Sequence, residues 1–193
     1  MQFVKFKHIA TMTLVLLGVA SLGLGSPLEH DDRTPELPAG CEKLEVESGN
    51  KVSFHAYAIG IQRYRWNGTA WVLVEPVAKL YANDDYTGET GIHYLGPTWE
   101  SNSGSKVVAT RADGCNADPT AIDWLLLRAV TNDGSGPFKK VTYVQRVYTV
   151  GGRAPIAAGS SIGALIDVPY TAEYYFYKAV SYTHLTLPTI LRV

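Results

Sequence analysis

Cysteine and methionine are scarce in this chain, with two of each among 193 residues. Two thiols cannot build a four-ligand thiolate cage. A dominant charge of one sign is also missing. Seventeen Lys and Arg stand against 18 Asp and Glu, for a formal net charge of -1. That balance leaves no basic footprint for nucleic acid. Histidine is sparse too. Of five, only His55 and His93 fall in the part that reads as folded, and they form neither HExxH nor any compact ligand spacing, so no metal is expected. No G-x-G-x-x-G follows a strand and no Walker loop is present, so no nicotinamide, nucleotide or other cofactor is expected.

Two partial motif matches lose their chemistry on inspection. Gly159-Ser160-Ser161-Ile162-Gly163 fits G-x-S-x-G, which needs a strand before it, a helix after it and a later His. The only later one is His184, near the chain end. Asn83, Asp85, Thr87 and Gly88 fit the start of a calcium loop, but Tyr94 stands where a bidentate Glu is required. Both segments read as surface loops.

Long apolar runs are confined to the start. Residues 1–25 combine Lys5 and Lys7 with an apolar core and small residues, the pattern of a secretory signal peptide. The core is too short and too interrupted for a membrane span, which needs about 20 apolar residues. The Pro-rich stretch 26–40 reads as a flexible lead-in. At the other end, Val180 to Thr189 looks like the translated reverse complement of a transposase sequencing adapter. Residues 180–193 are therefore expected to lie outside the fold, and Leu185, Leu187 and Ile190 outside its core.

The middle, residues 41–179, reads as a single β domain. Lys51 to Ala58 alternates, with Val52, Phe54, Ala56 and Ala58 on one face. Gln62 to Trp66 and Thr69 to Val74 flank Asn67-Gly68, which suits a type I′ turn. Further strands are expected at Ala78–Tyr81, Gly91–Leu95, Lys106–Arg111, Trp124–Val130, Val141–Val150 and Tyr170–Tyr177, separated by Gly- and Asp-rich turns. Asp118-Pro119 admits a helix through Leu126 as the alternative to a buried strand. The fold class expected is all-β, a single-domain antiparallel sandwich or barrel. In a secreted chain Cys41 and Cys115 read as one disulfide, closing a loop of about 75 residues. The alternatives are two free thiols or a link to another chain. Asn67-Gly68-Thr69 is a glycosylation sequon.

Several phrases occur in order: GIQRYRW, WVLVEPVAKL, GIHYLGPTWE, GSKVVA, DWLLLRA, VQRVYTVGGRAP and VPYTAEYYFY. On these, from about Gly60 to Tyr177, the chain resembles a family of uncharacterised secreted fungal and bacterial proteins classed as a domain of unknown function. Some members carry the label malate dehydrogenase. The family often has a Cys shortly after the GG-x-AP phrase, where this chain has Ala157, Ala158 and Gly159.

GIHYLGPTWE packs His93, Tyr94, Trp99 and Glu100 into eight residues. If the first half is a strand, His93 shares a face with Gly91 and Leu95, and Gly96-Pro97 turns the chain to present Trp99 and Glu100. A flat aromatic beside a carboxylate and an imidazole suits a polar ligand such as a sugar. In that pocket His93 would change charge between about pH 5 and 8. The plain alternative is a core Trp, a satisfied His and a Glu paired with Arg146. Gln145 and Arg146 belong to opposite faces of their strand. The ligand-binding candidates are thus His93, Trp99, Glu100 and Arg146. The function expected is a secreted extracellular protein that binds a polysaccharide or small polar ligand, such as cell-wall carbohydrate. No nucleic acid is expected as partner, and no membrane after the leader is cleaved. The rival is a small secreted hydrolase or lyase using His93 and Glu100 as acid and base.

Overall fold

A computed structural model describes residues 33–180. The leader expected over residues 1–25 and residues 181–193 of the expected tail lie outside the described residues. Eight strands follow one another: β1 Asn50–Trp66, β2 Trp71–Tyr81, β3 Glu89–Tyr94, β4 Thr98–Ser101, β5 Lys106–Cys115, β6 Trp124–Asp133, β7 Val141–Gly151 and β8 Leu165–Ala179. Each pairs antiparallel with the next, and β8 returns to pair with β1 along most of its length, so the sheet closes into a barrel. Closure leaves no unpaired edge.

The sequence explains how the interior fills. Small residues of β1 sit beside large ones of β8: Ala56 opposite Tyr174, and Gly60 opposite Tyr170. A Cβ on Gly60 would lie 2.1 Å from the Val77 carbonyl oxygen, so that crossing with β2 requires glycine. The buried interior is built around Trp99, Tyr174, Phe176 and Phe138, with Ala58, Ala78, Ala109 and Ala172 making room for them. Phe54, Phe138 and Phe176 pack ring against ring and seal one end of the barrel.

A second cluster lies outside the barrel wall. Leu37, Cys41, Leu44 and Val46 cover Val52, Trp124, Leu126, Tyr143, Val147 and Tyr177. The covering segment includes a short 3₁₀ turn, Glu42–Leu44. Gln145 points outward and donates from Nε2 to the Leu44 carbonyl at 2.7 Å, while the Tyr177 hydroxyl donates to Gln145 Oε1. Cys41 and Cys115 form a disulfide with Cα atoms 5.4 Å apart, tying this strap to the end of β5. Within the stretch expected as a lead-in, Leu37 packs on this cluster while Pro38, Ala39 and Gly40 stay exposed.

Two local expectations need correction. A bulge between Val52 and Phe54 changes the phase of β1, so Val52 joins the outer cluster while Phe54, Ala56 and Ala58 face inward. The Asn67-Gly68 connection is a four-residue loop between the paired Trp66 and Trp71. Gly68 alone of the two has positive φ, and Asn67 Oδ1 accepts from the N–H groups of Thr69 and Ala70. A type I′ turn would need both residues in the left-handed region. Gly96-Pro97 turns the chain as expected, and the segment that follows is a further strand, β4. The helix alternative at Asp118-Pro119 is not taken: Asp118 caps its own turn through the Thr120 N–H, and the expected strand starts at Trp124.

Candidate barrel-mouth binding site

The end of the barrel opposite the Phe plug holds a cavity of about 710 Å³. Its position follows from the alternation of β1. Gln62 and Tyr64 point inward while Arg63 points out to Glu75 and Asp167. Beside them, Leu73 and Pro76 of β2, and Leu125 and Leu127 of β6, make an apolar wall. His93, Trp99 and Tyr174 form the aromatic part of the lining. Arg146 of β7 enters from the side.

His93 and Trp99 are cross-strand partners in β3 and β4. Their rings stack with centroids 4.4 Å apart and an 8° tilt, and Tyr174 meets both edge-on. His93 Nδ1 lies 2.9 Å from the Thr98 carbonyl oxygen, which accepts a proton and fixes that tautomer, leaving the lone pair on Nε2. Burial drives the imidazole pKa down to about 3; the Thr98 hydrogen bond opposes this and the positive charge of Arg146 adds to it. His93 is thus neutral throughout about pH 5 to 8, so the expected change of charge in that range does not occur there. Burial likewise raises the Tyr174 phenol.

Glu100 lies apart from this group. Its neighbour Trp99 turns inward, so Glu100 turns outward, where it accepts from the Tyr94 hydroxyl at 2.9 Å and pairs with Lys106 at 3.3 Å. Arg146 is not its partner. The guanidinium donates from Nε and Nη2 to the Asp123 backbone carbonyl, at 3.2 and 2.8 Å. Of the four residues singled out by sequence, the structure therefore brings together His93, Trp99 and Arg146, and separates Glu100 from them by the barrel wall. Asn67 is exposed in its loop, away from these residues.

Gln62, Tyr64 and Tyr174 are site residues that sequence reasoning passed over. The signal for the first two was present, since QRYRW alternates arginine with Gln62 and Tyr64, as a barrel strand does. Two buried donors in the lining have no hydrogen-bond partner among the described residues: Gln62 Nε2 and Trp99 Nε1. Each residue is 1% exposed. Such orphaned groups cost about 1–3 kcal/mol apiece when nothing meets them.

Other motifs resolve as structure. Asp85 and Thr87 hydrogen-bond each other, and Asn83 donates to Thr87, in a self-contained loop. The Gly159–Gly163 segment precedes a strand and folds back on Trp66, whose carbonyl accepts from the Gly163 N–H. No helix among the described residues is long and apolar enough to cross a membrane.

Fold and site together define a closed eight-stranded antiparallel barrel, plugged at one end and hollow at the other, with aromatic rings and a guanidinium in the hollow. Residues 47–178 match the family described as "Protein of unknown function (DUF3455)", and the chain belongs to that family. No curated protein and no solved structure matches it.

Proposed function

We propose that the chain is a secreted binding protein that takes a small organic ligand into the mouth of its barrel. The observation that carries this reading is a cavity of about 710 Å³ whose lining brings the rings of His93, Trp99 and Tyr174 together with the Arg146 guanidinium. Barrel mouths are common places for such ligands. The Cys41–Cys115 disulfide suits an oxidising, extracellular setting. A cavity closed at its inner end favours a small molecule, or the terminal unit of a polysaccharide, over a polymer lying flat. Acid–base catalysis by His93 and Glu100 draws no support from the geometry, because the two open on opposite sides of the wall.

The test is titration of the purified chain with 1-anilinonaphthalene-8-sulfonate, alongside an Ala154→Trp variant that narrows the cavity rim. One saturable site, weakened in the variant with melting temperature unchanged, is the expected result. Absence of a saturable site, or indifference to the rim change, removes the cavity from the function. A glycan array run in parallel would expose carbohydrate binding on the outer surface, by signal that the rim variant leaves intact.

A further inference from the structure

We infer that the cavity selects a monoanionic ligand with an apolar body, a hydrophobic monocarboxylate, and that Arg146 anchors its carboxylate. This inference rests on the ligand-binding reading above and specifies its chemistry.

Arg146 offers only donors, so a ligand that meets it must bring acceptors. Charge points the same way. Arg146 has no carboxylate within ion-pair distance among the described residues. An acid is close by, yet it is turned away. Asp123 gives Arg146 only its backbone carbonyl, while its carboxylate accepts from Asn116 at 3.1 Å and faces Arg111 at 3.7 Å. A partly buried guanidinium without a counter-charge is costly, and an incoming anion offsets that cost.

The count of cations sets the charge of the ligand. Arg111 and Arg153 stand at the rim, where Asp123 and the Pro119 carbonyl hold them. Arg146 is the cation placed beside the buried aromatics. Its Nε–Nη2 edge is used by the Asp123 carbonyl and its charge also acts on the Tyr174 hydroxyl, so an entering carboxylate meets the guanidinium beside that phenol. One inner guanidinium matches one negative charge better than a dianionic phosphate ester. The wall formed by Leu73, Pro76, Leu125 and Leu127 suits an apolar body.

The test compares 4-phenylbutyrate with its amide and with 4-phenylbutylamine by calorimetry on the full chain. The acid is expected to bind at least about ten-fold tighter than the amide, the size of one good charge-assisted hydrogen bond, and the amine not at all. In Arg146→Gln the preference should vanish, with acid affinity falling about ten-fold or more and amide affinity within about two-fold of the parent. An amide that binds as well as the acid overturns the inference and leaves the cavity reading standing. So does an Arg146→Gln chain that retains the preference. The charge series needs only the unaltered chain, so it decides the matter even if the variant fails to fold. No binding by all three probes removes the cavity reading as well.

Discussion

Replacing His93 with Asn tests the placement of the ring at the heart of the barrel. Asn keeps a donor for the Thr98 carbonyl and cannot titrate. It also loses the stack on Trp99, so the variant should be less stable at every pH. The informative quantity is how that deficit changes with pH. The folded-state pKa is about 3 and the unfolded value about 6.5, so the unfolded chain takes up the proton first. The stability tied to the neutral ring is complete above about pH 6.5 and is lost as pH falls toward 3. At about pH 5 the loss is about 2 kcal/mol, and at about pH 4 about 3 kcal/mol. Urea titrations of both proteins across that range should show the parent losing this much more than the variant, so the gap between them narrows on acidification. Parallel pH curves would refute the reasoning, as would an imidazole whose NMR signals titrate near the ordinary value.

Trp99→Ala should cost about 3–5 kcal/mol of stability, read by denaturant unfolding, because the ring packs against His93, Tyr174 and Phe176. Gly60→Ala should destabilise by about 1–3 kcal/mol or prevent folding, since its Cβ would sit 2.1 Å from a β2 carbonyl; an unaltered melting curve would contradict the close crossing. Cys41→Ser with Cys115→Ser should lower stability by about 4 kcal/mol in the chain-entropy model, for cysteines 74 residues apart. In that double variant limited proteolysis should cut between residues 33 and 46 while the barrel core persists.

Much of the barrel was legible from alternation, and the failures have identifiable causes. Lys51–Ala58 and Gln62–Trp66 read as separate strands because Ile59-Gly60-Ile61 breaks the polar–apolar rhythm, yet all belong to β1. Gly60 marks close packing rather than a turn. The extra residue at Ser53 shifts the phase of β1, and no one-dimensional pattern announces it. β4 was hidden because Gly96-Pro97 carries the signature of a turn and only four residues follow before the next one. The disulfide was readable from two cysteines in a chain whose first 25 residues read as a secretory leader. His93, Trp99 and Arg146 were named together, but the exclusion of Glu100 was not legible, since the alternation that turns it outward belongs to the hidden β4. Opposite faces for Gln145 and Arg146 did follow from strand geometry, and the structure gives each a partner on its own side.

The seam between β1 and β8 joins the two longest strands, of 17 and 15 residues. Across it, His55 meets Glu173, 118 positions later in the chain. Tyr170, Tyr174 and Phe176, which fill the hollow left by the alanines of β1, all arrive with the last strand. During synthesis the first seven strands therefore wait as an open sheet, with Leu80, Trp99 and Phe138 in place but the rings of β8 that complete the core still missing. The topology concentrates its long-range contacts in one late event, and contacts of that separation slow folding. Until β8 arrives, β1 keeps a free edge exposed to pairing with other chains. A chain exported before it folds would pass through this state outside the cytoplasm, and its yield there would depend on how quickly the final strand finds the first.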